Sequence, residues 1–113
     1  MTNKHKGYRT ERKIRLLMEK NGWKVVRAGA SLGEADLICI HRGVCVFLQI
    51  KSTKKKTFYY YEYMKRELEG VPFFVVVDFG YGKIRVLHPQ PKVKISDGAS
   101  LDEFLKKINE KQI

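Results

Sequence analysis

Apolar residues recur at two spacings along the chain, and each spacing predicts a different kind of element. Ile14, Leu17 and Met18 fall on one face of a helix, which we predict from about Arg9 to Asn21. Further along, apolar residues form short continuous or alternating runs, which are typical of strands. The pattern therefore indicates a helical start followed by a strand-rich middle.

Five strands are predicted from these runs, at residues 23–27, 35–41, 44–51, 73–79 and 83–88. The second and third are apolar on both faces, so we expect them in the middle of a sheet that is covered on both sides. Two more helices are predicted, one over residues 57–69 and one that starts at a capping box at residues 100–103. The order of elements favours the α/β fold class: residues 1–113 form a single domain with a central mixed sheet of about five strands flanked by helices.

Polar residues stand at the ends of the two central strands, where apolar side chains are expected. Asp36 lies near the start of one strand, and Gln49 and Lys51 lie near the end of the other. A two-residue turn at residues 42–43 sets position 36 opposite position 49, with Cβ atoms about 4.5–5.5 Å apart. Lys51 shares their face because it lies two residues beyond Gln49, and it lies opposite Glu34 if the pairing continues that far.

Glu11 lies at the edge of the apolar stripe of the first predicted helix, so it is either half solvated or directed at another group. Glu11 and Asp36 could converge beside Lys51, and oxygen ligands of this kind suit Mg²⁺, with Mn²⁺ as a substitute. Mg²⁺ activates water and neutralises phosphate charge, and a neighbouring lysine can orient the water or stabilise the transition state. This chemistry is phosphodiester hydrolysis. The alternative interpretation is a simple salt bridge between Asp36 and Lys51.

A large excess of basic residues favours a polyanionic partner. There are 23 Lys and Arg against 12 Asp and Glu, a formal net charge of +11. Nucleic acid is the first candidate partner, and an acidic membrane surface is the second. Neither terminal helix combines a large apolar face with a dedicated basic one, so we expect no membrane partner. The candidate DNA-binding residues from these basic clusters include Arg9, Arg12, Lys54, Lys55 and Lys56.

The sequence contains no apolar run of membrane-spanning length and no secretory leader, so we expect a cytoplasmic protein with reduced thiols. Cys39 and Cys45 lie on paired strands but point to opposite faces, so they are interpreted as small buried side chains and not as a disulfide. In the aromatic run that follows the lysines, Tyr61, Met64 and Leu68 have the spacing of a buried helix face. The remaining tyrosines, for which we favour packing over base stacking, are Tyr59, Tyr60 and Tyr63.

The sequence resembles the archaeal Holliday junction resolvases in one ordered set of residues. The set consists of Glu11, Arg27-Ala28-Gly29-Ala30-Ser31, Asp36-Leu37-Ile38 and Gln49-Ile50-Lys51. These proteins belong to the PD-(D/E)xK, restriction-endonuclease-like nucleases, and the similarity covers nearly the whole chain. The resemblance implies a restriction-endonuclease-like fold and a homodimer that binds four-way DNA junctions. It further implies that two opposed strands are cut with Mg²⁺, in the service of DNA recombination and repair.

The resemblance also implies a role for each matched residue. The implied catalytic residues are Glu11, Asp36, Gln49, Lys51 and Ser31. The implied metal-binding residues are Glu11, Asp36, Gln49 and Ile50. Arg12 and Arg27 match residues placed at the DNA phosphates or the site, and they join the basic clusters in the predicted DNA-binding set.

Gln49 departs from the family pattern, in which the third acid is a glutamate. Glutamine can offer a carbonyl oxygen to a metal but brings no charge, so we expect weaker Mg²⁺ binding, unless Glu34 supplies the missing charge. The sequence therefore leaves two alternatives to junction resolution: cleavage of other branched, nicked or duplex DNA, and a DNA-binding module that has lost cleavage. On this interpretation, a Gln49→Glu substitution keeps or raises activity and lowers the Mg²⁺ requirement.

Overall fold

The computed structural model describes residues 2–29 and 33–110, with the side chains of the first helix described from Gly7 onward. Two helices, α1 and α2, begin and end this part of the chain, and nine strands lie between them. In chain order, the elements are α1 (Thr2–Lys20), β1 (Lys24–Arg27), β2 (Leu37–His41), β3 (Val44–Ser52), β4 (Thr57–Tyr59), β5 (Glu67–Leu68), β6 (Val71–Asp78), β7 (Ile84–Leu87), β8 (Lys92–Lys94), β9 (Ala99–Ser100) and α2 (Leu101–Glu110). Neither described helix is long and apolar enough to cross a membrane.

The central sheet is mixed, with the order β1-β2-β3-β6-β7-β9, and β5 pairs with β6 beside this path. The pair β3–β6 is parallel, and its neighbours β2–β3 and β6–β7 are antiparallel. The five longest strands of this sheet are the five that the sequence predicted. The predicted fold class, a single α/β domain with a mixed central sheet and flanking helices, is confirmed.

The β2–β3 hairpin has the predicted two-residue turn. Arg42 and Gly43 both have positive φ, 48° and 84°, as expected for the type of tight turn that matches the twist of the strands. His41 lies opposite Val44, and the register continues to the pair of Leu37 and Leu48. The regular register ends at this pair: the Asp36 N–H donates to the Leu48 carbonyl at 2.8 Å, so the predicted pairing of position 36 with position 49 is not part of it.

The sheet has a different cover on each face. Both helices pack on one face, where α1 and α2 contribute Ile14, Met18 and Phe104 to the core. On the other face, an irregular segment and the small β4–β8 sheet cover the strands, and Tyr60 and Val93 contribute to that core. Cys39 and Cys45 belong to opposite faces, and both are free thiols, as predicted. Burial raises the pKa of Cys39 to about 12, so this thiol stays protonated.

The predicted helix over residues 57–69 is wrong. Its first residues form β4, which pairs with β8, and its end forms β5. The exposure of consecutive tyrosines explains the error: Tyr59 is 55% exposed, Tyr60 is 1% exposed and Tyr61 is 77% exposed. This period of two belongs to an extended chain, and aromatic side chains favour that conformation.

The expected burial of the aromatic run is wrong in the same way. Tyr61 and Met64, predicted as core residues, are exposed, whereas Tyr60 is among the most buried side chains of the described structure. Tyr63 packs edge-on against Phe73 with ring centroids 4.8 Å apart. Tyr59 and Tyr61 stack on each other at the surface, with a centroid separation of 6.5 Å.

The capping box before α2 forms as predicted. The backbone N–H of Glu103 donates to Ser100 Oγ at 3.1 Å, and the N–H of Ser100 donates to Glu103 Oε1 at 2.9 Å. These hydrogen bonds lower the pKa of Glu103. The motif therefore fixes the start of the helix that closes one face of the sheet.

Gly98, just before this helix, is expected to tolerate no side chain. Its φ is +69°, and a Cβ there would lie 2.5 Å from the backbone oxygen of Val86. We predict that Gly98→Ala lowers the free energy of unfolding by about 3 kcal/mol, because left-handed strain adds to the steric contact. In Gly80→Ala, the φ is +89° but nothing lies within 4 Å of the added Cβ, so we expect a loss of about 1 kcal/mol. Urea denaturation measures both values, and equal losses would contradict the close approach.

Candidate active site

The candidate site lies where β2 ends beside the continuing strand β3. The backbone N–H of Asp36 donates to the Leu48 carbonyl at 2.8 Å, and the Ile50 N–H donates to Asp36 Oδ2 at 2.7 Å. The Asp36 carboxylate thus accepts the hydrogen bond that a backbone carbonyl would accept if β2 continued beside β3. In an extended strand, the N–H and C=O of one residue point to the same side. The Ile50 carbonyl therefore points to the side where Asp36 lies.

Gln49 is the buried member of the site. Its residue exposure is 6%, and its Nε2 donates to Glu62 Oε1 at 3.1 Å. Its Oε1 is buried and has no hydrogen-bond partner within residues 2–29 and 33–110. A buried carbonyl oxygen without a partner is unfavourable unless another group satisfies it, so this atom indicates a missing ligand.

Lys51 forms an ion pair with the same glutamate, through Nζ and Glu62 Oε2. The Lys51 side chain is 23% exposed and the Glu62 side chain is 52% exposed. Glu62 therefore connects Gln49 and Lys51 from the solvent side. Asp36, Gln49, Lys51 and Glu62 lie at one end of β3.

Burial and charge act together on the titratable groups of the site. Burial raises the pKa of Asp36, and the charge of Glu62 adds to this effect. The Ile50 N–H and the charges of Lys51 and Arg27 act in the opposite direction but do not cancel it. Burial also raises the pKa of Tyr60, with further contributions from Glu62 and Asp36. These groups therefore lie within electrostatic reach of one another.

Glu11 reaches the site through Arg27. Arg27 Nε donates to Glu11 Oε1 at 2.7 Å, and the Arg27 guanidinium lies over the Tyr8 ring at 5.6 Å from its centroid. Lys13 holds the same helix against the end of β6, because its Nζ lies 2.6 Å from Asp78 Oδ2. The expected convergence of Glu11 with Asp36 beside Lys51 is therefore indirect, with the guanidinium of Arg27 as the link.

The other predicted residues surround this group at the surface. Arg9 and Arg12 are exposed and line a shallow groove of about 620 Å³ on α1. Lys54, Lys55 and Lys56 are exposed in the turn after β3. Ser31 lies outside the described residues.

Sequence reasoning missed Glu62, which it had placed in a helix. It had named Glu34 as a possible substitute for the charge absent at position 49, but Glu34 is exposed and Glu62 makes the contact with Gln49. The signal that could have found Glu62 was the neutral residue itself. An amide at that position can donate a hydrogen bond to a carboxylate, so an acidic residue could have been sought as its partner.

The donor set fits Mg²⁺ as a mixed set of oxygens. In the described part of the chain, no three His, Cys, Asp or Glu side chains are grouped as metal ligands. The site instead offers the Asp36 carboxylate, the buried amide oxygen of Gln49 and the Ile50 carbonyl. Mg²⁺ prefers oxygen ligands and keeps several waters, so few protein ligands are needed. The unpartnered Gln49 oxygen is the observation that supports this fit.

Comparisons with known proteins agree with the fold. The solved structure of Archaeoglobus fulgidus Hjc, a Holliday junction resolvase from an archaeal hyperthermophile, is similar to this chain with a TM-score of 0.67. The match has 14% sequence identity and covers 89% of this chain and 96% of that chain. No curated protein matches the sequence significantly. The family model described as archaeal Holliday junction resolvase (hjc) matches residues 2–113, and the chain therefore belongs to this family.

Proposed function

We propose that residues 1–113 form a nuclease domain, a Mg²⁺-dependent endonuclease that resolves four-way DNA junctions by paired phosphodiester hydrolysis. One observation carries the proposal: a half-buried carboxylate, a buried amide oxygen without a described partner and a lysine lie at one strand end. Family membership supports the substrate class. The net charge of +11 supports binding to the DNA backbone.

Each residue has a distinct part in this proposal. Asp36, Gln49 and the carbonyl of Ile50 would hold Mg²⁺, which supplies activation of water and neutralises charge on the phosphate. Asp36 is held in position by the Ile50 N–H. Lys51 acts on the substrate side, where its ammonium orients the attacking water or stabilises the charge that develops on the phosphate.

Glu11 and Arg27 act as a linked pair. The ion pair fixes the guanidinium of Arg27 beside the Asp36 region, where it can contact a phosphate while Glu11 limits its motion. Glu11 is the less exposed partner, with 14% side-chain exposure. Arg9 and Arg12 would extend this basic surface along α1, and Ser31 remains a predicted site residue at the loop before Asp36.

Two opposed cuts in one junction require two sites, so we propose that the protein acts as a homodimer on cellular DNA in the cytoplasm. Light scattering during gel filtration measures the mass against the 13.2 kDa of one chain. A mass of two chains supports paired cleavage. A monomer at the concentrations used for cleavage would contradict the paired mechanism.

The decisive assay uses a four-way junction labelled on each strand in turn, with Mg²⁺ or Mn²⁺. Symmetric cuts on two opposed strands support resolution. Single or scattered cuts on branched, nicked or linear duplex DNA would instead favour a nuclease of broader substrate range. The third outcome is a protein–DNA complex seen as a gel shift without cuts, which would identify a DNA-binding module.

Lys54 and Lys55 are expected to contribute phosphate contacts. The double variant Lys54→Gln/Lys55→Gln should lower the salt dependence of junction binding, measured as the slope of log affinity against log salt, by about 2. The matched control is Lys106→Gln/Lys107→Gln, which removes two exposed lysines from α2, a helix that covers one face of the sheet. Fluorescence anisotropy with labelled junction DNA measures both slopes. Equal slopes for the two variants would mean that the turn after β3 does not face the DNA.

A further inference from the structure

Glu62 contacts two neighbouring polar residues of the candidate site at once. Its Oε1 accepts a hydrogen bond from the Gln49 amide at 3.1 Å, and its Oε2 pairs with the Lys51 ammonium. Glu62 lies between β4 and β5, in the irregular segment that covers one face of the sheet. It therefore enters the site from outside the strands that carry Asp36, Gln49 and Lys51.

The ion pair alone does not explain this position. The Glu62 side chain is 52% exposed, and an ion pair with such an exposed partner contributes little to stability. The contact with Gln49 is more informative, because the same amide carries the buried Oε1 that has no partner among the described residues. Glu62 thus contacts one end of an amide whose other end is suited to a cation.

The identity of residue 49 and the position of Glu62 depend on each other. A neutral amide at position 49 can donate to the Glu62 carboxylate, whereas a carboxylate there would repel it at the same distance. With glutamine at 49, the strand end holds Asp36 as its own acid, and Lys51 offsets that charge. Glu62 adds a second negative charge, which a divalent cation needs beside a lysine.

We propose that Glu62 is the second acidic residue of the Mg²⁺ site and replaces the charge that Gln49 lacks. This inference rests on the proposed metal-dependent function and adds a residue to its site. The half-exposed carboxylate is accessible to a hydrated ion, and its contacts with Gln49 and Lys51 hold it beside the buried amide oxygen. The acid has thus moved from the strand to the covering segment.

The test measures Mn²⁺ binding to the whole protein without DNA, by isothermal titration calorimetry. We expect Glu62→Gln to weaken Mn²⁺ binding on the order of tenfold, because one nearby charge is lost. The matched control is Glu69→Gln, which removes an exposed carboxylate from the turn between β5 and β6 and should change binding less than twofold. Equal Mn²⁺ affinities in the two variants would overturn the proposal.

A charge exchange distinguishes a metal-binding role from a structural one. The double variant Gln49→Glu/Glu62→Gln moves the carboxylate back to the strand and keeps an amide opposite it. We expect its Mn²⁺ affinity to return to within about threefold of the unchanged protein. Binding as weak as in Glu62→Gln alone would overturn the exchange of roles, provided that thermal unfolding shows both variants to be folded.

The Mn²⁺ titration and the junction cleavage assay together separate this inference from the proposed function. If Asp36→Asn weakens Mn²⁺ binding and Glu62→Gln does not, the metal site stands and Glu62 has no part in it. If Glu62→Gln weakens Mn²⁺ binding but the unchanged protein cuts no junction, the assignment of Glu62 stands and junction resolution fails.

Discussion

Junction cleavage is expected to fall by roughly a thousandfold or more in an Asp36→Asn variant, while junction affinity stays within about twofold. The carboxylate is a half-buried anionic oxygen donor of the candidate site, and its loss would remove charge where a cation and the phosphate are proposed to meet. Affinity should persist, because it depends on phosphate contacts from many of the 23 basic residues. Single-turnover cleavage and anisotropy, measured on the same labelled junction, report the two quantities separately.

Asparagine is the sharper substitution here because it preserves the local structure. Its side-chain oxygen can still accept the hydrogen bond that the Ile50 N–H donates to Asp36. The control is Asp102→Asn, at an exposed position in the first turn of α2, which should cleave at the unchanged rate. An Asp36→Asn variant that cuts as fast as this control would remove Asp36 from the mechanism.

The fold was predictable from the sequence where local chemistry determines the geometry. The left-handed pair Arg42-Gly43 allows a two-residue turn, and that turn determines every pairing in the β2–β3 hairpin. This register ends at Leu37 and Leu48, so it brings Asp36 to the end of β3 that carries Gln49 and Lys51. The capping box at Ser100 and Glu103 is equally local, and both of its hydrogen bonds form.

The segment over residues 57–69 was not predictable in this way because its partners are distant in sequence. Phe58 lies opposite Val93, in a short strand that follows a proline-rich stretch. The alternating burial of Tyr59, Tyr60 and Tyr61 can be recognised only once the structure shows that Tyr60 packs into the core on the sheet face opposite the helices. Spacing of Tyr61, Met64 and Leu68 suited a helix equally well, so the pattern could not discriminate between the two.

The same limit applies to the site. Asp36, Gln49 and Lys51 lie on one hairpin, whose register the sequence determines, so their grouping could be predicted. Glu62 belongs to the covering segment, so its contact with Gln49 depends on how that segment packs. The ion pair of Glu11 with Arg27 depends on how α1 docks against the sheet, so the sequence could not predict it.

We predict that a Lys51→Met variant lowers the single-turnover rate of junction cleavage by about a thousandfold, with little change in junction affinity. Methionine keeps much of the length and the apolar stem of a side chain that is 23% exposed, so the loss is confined to the ammonium. Mn²⁺ binding should not weaken, because removal of a positive charge near the site does not disfavour a cation. This combination separates Lys51 from Asp36, whose loss is expected to weaken both metal binding and cleavage.

The ion pair with Glu62 gives a second interpretation of such a loss, in which Lys51 only neutralises that carboxylate. A Lys51→Met/Glu62→Gln variant distinguishes the two, because it removes both charges and leaves no unpaired anion. If Lys51 only balances Glu62, the double variant recovers most of the cleavage rate. If the ammonium acts on the water or the phosphate, the double variant stays at least as slow as Lys51→Met, which is the result we expect. Recovery would assign Lys51 a structural role and leave the reaction to the acidic and amide groups beside it.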